Sequence, residues 1–131
     1  GGAGAPPRSA TPGARNASQM KYPPGDRSHI PENQRPIQHA LQREIARLKS
    51  TAPPAQKRMV DDTERRINLL LDHLNCGTID AKTVSGLMQI VAAIEARNKQ
   101  AALNIHLQLV TSSSGDVAAG LVGVKMIISR L

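Results

Sequence analysis

The sequence predicts an all-α protein: a five-helix antiparallel bundle preceded by a disordered tail rich in proline and glycine. Apolar residues recur at spacings of three and four through most of residues 29–131, which is the period of one face of a helix. The breaks in this pattern are short and carry residues that end one helix and begin the next. Short connections between several amphipathic helices favour an antiparallel bundle.

Residues 1–28 have a different composition from the rest of the chain. They are rich in Gly, Pro, Ala, Ser and Arg, with almost no large apolar side chain, so burial cannot offset the entropy of ordering them. We therefore predict two units, a disordered basic linker at residues 1–28 and a helical bundle at residues 29–131. Because the chain opens with Gly-Gly rather than Met, we also expect a piece of a longer protein.

The first helix is predicted to begin near Pro31 or Pro36, since proline fits a first helical turn, and to continue through Ser50. Its core-facing stripe consists of Ile37, Leu41, Ile45 and Leu48. The opposite face carries Arg35, His39 and Arg43. Pro53 and Pro54 then end this helix, and Pro54 can open the next.

The second helix, predicted over residues 60–77, has the longest unbroken helical pattern. Its core stripe consists of Val60, Thr63, Ile67, Leu70, Leu71 and Leu74. Leu69 and Cys76 lie on the other side, among charged residues. One interpretation is a central helix that neighbours cover on both flanks. The other makes Leu69 and its basic neighbours Arg65 and Arg66 part of a docking surface.

Three more helices follow. Asp80 is a plausible N-cap for the third, which should end near residues 97–98. The fourth, from about Lys99 to Thr111, is apolar on most of its circumference, which predicts burial on more than one side. Ser113 and Asp116 are three residues apart, as in a capping box, and should start the fifth.

Composition limits the classes of function. The hydrophobic fraction is 40%, yet Tyr22 is the only aromatic residue, so the core must be aliphatic. No apolar run approaches the ~20 residues of a membrane span. One cysteine excludes an internal disulfide framework and fits a reducing compartment. Residues 1–60 carry ten basic and three acidic residues, whereas residues 61–131 carry seven of each, so the whole +7 charge belongs to the first part.

This asymmetry leaves two interpretations open. It suggests an acidic partner, which could be a nucleic acid, a membrane surface or an acidic protein face. It is equally consistent with a tail that charge merely keeps soluble. Nucleic-acid binding as the main function is disfavoured, because single-strand binders stack aromatic residues on bases and only Tyr22 is present. No helix-turn-helix or zinc-finger spacing occurs either.

Enzymatic chemistry is not expected. Asp72 and His73 look like an acid/base pair, but adjacent residues of a helix point about 100° apart. His73 and Cys76 could begin a metal site, yet no second pair of ligands has suitable spacing. His106 lies on an apolar face and is expected to be a hydrogen-bonded core residue. We therefore predict no catalytic, cofactor-binding or metal-binding residues.

Three motifs carry a resemblance to a known family. They are Ile30-Pro31, the run from Asp62 to Asn75 (DTERRINLLLDHLN), and Leu121-Val122-Gly123-Val124-Lys125. Together they resemble the C-terminal helical domain of the large outer-layer subunit of the COPII vesicle coat. The same type of domain occurs in the steroid receptor RNA activator protein. The ending Asp-His-Leu-Asn of the second motif favours the coat branch.

Two positions depart from the usual form of the last motif. An aromatic residue commonly begins it where this chain has Gly120, and a basic residue commonly follows its lysine where this chain has Met126. These departures bear on how the final helix would meet a partner, and we do not expect them to change the fold.

The resemblance implies a non-enzymatic module of the COPII outer coat that helps link coat layers during transport from the endoplasmic reticulum to the Golgi. Implied partners are the propeller protein of the outer coat, the inner-coat cargo adaptor, its GTPase-activating partner and a small GTPase. The implied location is cytoplasmic, on coats and endoplasmic reticulum exit sites, with membrane contact only through the coat. The alternative is an RNA-associated or nuclear coregulator of the steroid receptor RNA activator type. Seven predicted partner-binding residues are Arg35, His39, Arg43, Arg65, Arg66, Leu69 and Lys125.

Overall fold

The computed structural model describes residues 20–131, and the predicted disorder of residues 1–19 lies outside this part of the chain. The described residues form five α-helices and no strands, as the sequence predicted. The helices are α1 (Arg35–Thr51), α2 (Lys57–Cys76), α3 (Ala81–Glu95), α4 (Lys99–Val110) and α5 (Gly115–Ser129). One-turn 3-10 helices at Glu32–Gln34 and Pro54–Gln56 lead into α1 and α2.

Pairwise contacts show that neighbouring helices are antiparallel. On α5, Gly120 lies next to Leu70 of α2, and Gly123 lies next to Thr63. Residue numbers therefore rise along α5 as they fall along α2, so these two helices are antiparallel. Helices α4 and α5 run in opposite directions too. His106 Nε2 lies 2.7 Å from the carbonyl oxygen of Leu121, while the start of α4 lies beside the end of α5.

The core is aliphatic and runs through all five helices, as the composition required. Large side chains with less than 2% exposure are Ile37, Leu41, Ile67, Leu70, Leu71, Leu74, Leu87, Ile90, Ile94, Leu121, Ile127 and Ile128. At about 1.5–3 kcal/mol for each large side chain removed from water, this core is large enough to hold the bundle together. The hydrogen bond from His106 to Leu121 inside it confirms the predicted core histidine.

Most helix ends lie close to the predicted positions, although α2 begins at Lys57 rather than at Val60 and the start of α5 differs in its capping. Asp80 caps α3 by accepting from the backbone N–H of Thr83, at 3.1 Å. Hydrogen bonds from the hydroxyl and then the backbone N–H of Thr83 hold the pKa of Asp80 below its usual range. The predicted capping box is wrong, because Ser114 is the N-cap of α5 and makes no side-chain cap bond. Asp116 instead bonds to His73 on α2, at 3.0 Å.

The prediction that α4 is buried on more than one side holds in part, because α4 packs against both α3 and α5 and several of its residues are half-buried against the core, namely Ala101, Leu103, Ile105 and Val110. Only Ala102, His106 and Leu109 of this helix are buried, and they share one face. Leu107 has 64% of its surface exposed. Helical periodicity shows which residues share a face, but it does not show whether the protein itself covers that face.

A buried carboxylate links α1 to the turn after α3. Glu44 is 1% exposed and lies between two arginines, 2.8 Å from Arg47 Nε and 3.1 Å from Arg97 Nη1. Arg97 has a φ of 57°, a left-handed conformation that costs a residue with a side chain about 1–2 kcal/mol. The ion pair with Glu44 therefore offsets backbone strain at this turn.

None of the helices within residues 20–131 combines the length and the apolar character that crossing a bilayer requires.

Candidate protein-interaction surfaces

The segment before α1 packs against the end of α2; we call residues 20–29 the N-terminal strap. The carboxylate of Asp72 accepts from the backbone N–H of Gly25 at 2.9 Å and from Arg27 Nη1 at 2.6 Å. The backbone N–H of His29 donates to Asn75 Oδ1 at 2.7 Å. Fixed contacts of the bundle therefore begin before residue 29, the boundary predicted from the sequence.

Aromatic stacking and an apolar contact complete the strap. The rings of Tyr22 and His29 are parallel, with centroids 3.5 Å apart. Cys76 Sγ lies 3.5 Å from the carbonyl oxygen of Tyr22. Leu69 lines a cavity of about 300 Å³ beneath the strap, together with Tyr22 and Asp72. Cys76 thus contacts the protein's own chain, whereas Leu69 is half-buried at the wall of this cavity, so the second flank of α2 is covered only in part.

The three residues predicted on α1 do not form one free basic face. Arg35 bends back to the strap, where its Nη1 donates to the carbonyl oxygen of Arg27 at 2.6 Å. Arg43 forms an ion pair with Glu95 of α3, at 2.7 Å. His39 lies exposed between them. The positive charge of this face is thus partly neutralised or used to hold the strap.

The two arginines predicted on α2 share one acidic partner. Arg65 Nη2 and Arg66 Nε each lie 2.8 Å from an oxygen of Asp62. Hydrogen bonds from Arg66 and then Arg65 hold the pKa of Asp62 below its usual range. Since Asp62 sits between the two cations, this cluster carries a smaller net charge than the sequence suggested.

The structure shows an exposed apolar surface that the sequence analysis missed. Leu107 on α4 and Val122 on α5 are the two large apolar side chains with high exposure, 64% and 47%, within the described residues. The bond from His106 to Leu121 joins the two helices immediately next to these residues. Lys125, three residues after Val122, is exposed on α5. We call Leu107, Val122 and Lys125 the α4–α5 surface.

The predicted partner-binding residues are therefore spread over several sides of the bundle. Those on α1 border the strap and the end of α3, whereas Arg66 borders α5, where a Cβ at Gly123 would touch it. Lys125 alone shares a surface with exposed apolar side chains. The sequence feature that could have indicated this surface is that apolar residues occupy most of the circumference of α4, which is more than one buried stripe requires.

The residues considered for catalysis and metal binding have other roles here. Asp72 binds the strap, and His73 lies between Thr78 at 2.6 Å and Asp116 at 3.0 Å. Asp72 and His73 thus have separate partners, as expected for neighbours on a helix. No group of three or more His, Cys, Asp and Glu side chains that could hold a metal ion occurs within residues 20–131.

Comparison with known proteins gives a consistent assignment. The family model described as Steroid receptor RNA activator (SRA1) matches residues 2–131. Protein transport protein SEC31 of Mycosarcoma maydis is 95% identical over 141 aligned residues, which cover 98% of this chain and 10% of that protein. Protein transport protein sec31 of Aspergillus oryzae is 46% identical over 110 residues, covering 83% of this chain and 9% of that protein.

A third relative, protein transport protein sec31 of Emericella nidulans, is 42% identical over 133 residues, covering 95% of this chain and 10% of that protein. The chain thus spans about a tenth of the length of these relatives. No solved structure was found to match it. The predicted resemblance to the helical domain of the COPII outer-layer subunit is confirmed, and the chain belongs to the steroid receptor RNA activator (SRA1) family.

Proposed function

We propose that the chain is a non-enzymatic docking module of the COPII outer coat, which helps link the coat layers in transport from the endoplasmic reticulum to the Golgi. The relatives that support this are named protein transport proteins and match most of the chain. The observation that carries the docking role is the α4–α5 surface, where Leu107 and Val122 remain exposed on adjoining helices.

Exposed apolar side chains that lie together on neighbouring helices mark interaction sites more often than those scattered singly. Leu107 and Val122 flank the contact between His106 and Leu121, so one partner element can reach both. Lys125 supplies a cation at the edge of the same surface. An apolar centre with a charged edge is the usual composition of a docking site whose central residues supply most of the affinity.

The partner that we propose for this surface is the inner-coat complex, made of the cargo adaptor and its GTPase-activating subunit. Its contact patch would be apolar with an acidic edge, to match Lys125. The propeller protein and the small GTPase complete the coat in which the module acts, on the cytoplasmic face of endoplasmic reticulum exit sites. Contacts repeated many times in a coat can each be weak, because linkage raises their effective concentration.

The test is binding of residues 1–131 to purified inner-coat complex, measured by biolayer interferometry near physiological salt. Leu107→Ser and Val122→Ser each remove an exposed apolar side chain without opening a core cavity, so both proteins should fold. We expect each change to weaken binding about 5- to 30-fold, which is the loss of about 1–2 kcal/mol typical of an interface residue that contributes to affinity. Lys125→Glu should also weaken binding, and the loss should be larger at low salt than near physiological salt. Lys82→Glu, the same change at an exposed position on α3, is the matched control.

Two outcomes would overturn the proposal. Equal losses for Lys125→Glu and Lys82→Glu, with no effect of Leu107→Ser, would mean that only general charge attraction operates. Tight binding of a generic RNA with a steep salt dependence, and no binding of inner-coat complex, would favour the RNA-associated alternative.

A further inference from the structure

A second, chemically different site lies where the α1–α2 connection meets the end of α5. An open cavity of about 480 Å³ is present there. Its apolar wall includes Leu48, Met59 and Leu131, and its cationic wall consists of Arg47 and Arg130. No aspartate or glutamate lines it. The cavity thus combines apolar surface with two guanidinium groups, and no aspartate or glutamate side chain lies in its wall.

Both guanidinium groups have binding capacity to spare. Arg47 uses Nε for Glu44, at 2.8 Å, but its Nη2 is buried and has no hydrogen-bond partner among residues 20–131. Arg130 donates to Gln56 Oε1 at 2.8 Å, which is a neutral acceptor and leaves the positive charge of Arg130 uncompensated. A ligand in the cavity can reach Arg130 and the exposed part of the Arg47 side chain, and a carboxylate is the acceptor that best fits a guanidinium fork.

We propose that this cavity binds an acidic segment of a partner protein, in which a carboxylate meets Arg47 and Arg130 and a neighbouring large apolar side chain packs on the half-buried Met59 and Leu131. The site is separate from the α4–α5 surface and does not depend on it. The adjoining depression across Pro53 is lined by Lys49, Lys57 and Asp61, and Lys57 Nζ lies 3.0 Å from Asp61, so the acidic segment is expected to end at the cavity rather than continue over that proline.

The same chemistry does not suit a membrane or a nucleic acid equally well. Phosphates of a membrane surface or of RNA would require an open basic plane, whereas here the cations lie in a cavity beside Leu48, Met59 and Leu131. That apolar wall favours a side chain such as leucine next to the carboxylate. Charge complementarity together with apolar complementarity therefore selects a peptide.

The experiment measures binding of a fluorescein-labelled peptide that alternates glutamate and leucine to residues 1–131, by fluorescence anisotropy. Arg130→Gln is the main variant, because Arg130 is exposed and its loss should not disturb folding. We expect it to weaken binding about tenfold or more, the effect of losing one charge-assisted hydrogen bond. Arg58→Gln, the same change at an exposed arginine outside the cavity, should leave affinity nearly unchanged.

Two further arms test the carboxylate and the guanidinium fork. Replacing glutamate by glutamine in the peptide should abolish the difference between Arg130→Gln and the parent. Arg47→Lys keeps a cation beside Glu44 but removes the fork, and we expect it also to weaken binding. Equal losses for Arg130→Gln and Arg58→Gln would overturn the proposal. Stronger binding to vesicles of anionic phospholipid than to the peptide, lost in Arg130→Gln, would overturn the choice of a peptide.

Discussion

The close approach of α2 and α5 depends on glycines that leave no room for a methyl group. A Cβ at Gly123 would lie 2.9 Å from the Cβ of Arg66 and 3.2 Å from the carbonyl oxygen of Thr63. Neither atom can rotate away, so the two helices would have to move apart. Overpacking costs about 1–3 kcal/mol, whereas alanine in place of glycine inside a helix gains about 1 kcal/mol. We therefore expect Gly123→Ala to lower the free energy of unfolding by about 1 kcal/mol.

Thermal and urea unfolding, followed by circular dichroism, measure this change. A loss of about 1 kcal/mol corresponds to a Tm lower by about 4 °C for a domain of this size. Gly86→Ala is the matched control, since its Cβ would meet the methyl carbons of Leu109, at 2.5 and 2.9 Å. Those methyl groups lie at the end of a rotatable side chain, so we expect a smaller loss at this position.

A Gly123→Ala protein at least as stable as the parent would refute the reasoning, because helix propensity would then outweigh the spacing of the helices. The double variant with Gly120→Ala gives an independent check. A Cβ at Gly120 would lie 2.8 Å from the Cβ of Leu70, so one separation of the helices would relieve both clashes. We expect the double loss to be smaller than the sum of the single losses, as for coupled neighbours.

Three other substitutions test the contact of the strap with α2, the loss of stability at low pH and the backbone strain at Arg97. Asp72→Asn removes the carboxylate that Arg27 binds at 2.6 Å. The fluorescence of the single tyrosine should change and proteolysis before residue 29 should speed up at constant helix content; unchanged proteolysis would count against the strap. The folded-state pKa of Asp80 lies below its usual range, so its carboxylate contributes stability above the ordinary aspartate pKa of ~3.9. That stability is lost as pH falls through the lowered pKa, because the unfolded chain then binds more protons. Asn is as good an N-cap, so Asp80→Asn should leave stability at neutral pH nearly unchanged and give a shallower loss under about pH 4 in urea unfolding. Arg97→Gly relieves the left-handed φ but takes one cation from buried Glu44, and we expect stability to fall by up to about 1 kcal/mol; a gain would show that strain dominates.

Local patterns predicted the helices well because the information lies within each segment. The stripe of α2 and the cap at Asp80 depend on neighbours three or four residues away, so a sequence shows them directly. The end of α2 is local too, since Gly77 has a left-handed φ of 71° and glycine is the residue that most often ends a helix in this way. Features of this kind do not depend on which other helix packs where.

Features that depend on distant residues could not be predicted in this way. The strap exists because Arg27 meets Asp72, forty-five positions later, and nothing in the local composition of residues 20–29 indicates that contact. Asp116 had the spacing of a capping residue, but the fold brings His73 within hydrogen-bonding distance of it. Leu107 had the pattern of a core residue, and only the packing of five helices shows that it is exposed.

The two departures from the family motif on α5 now have different physical meanings. Gly120 is buried against Leu70, so an aromatic residue at this position would require another spacing between α2 and α5. Met126, one helical turn after Val122, is half-buried on the outer side of α5. A basic residue there would add charge beside Val122, whereas methionine extends the apolar area. The first departure therefore adjusts helix packing. The second makes the α4–α5 surface more apolar than the usual motif would.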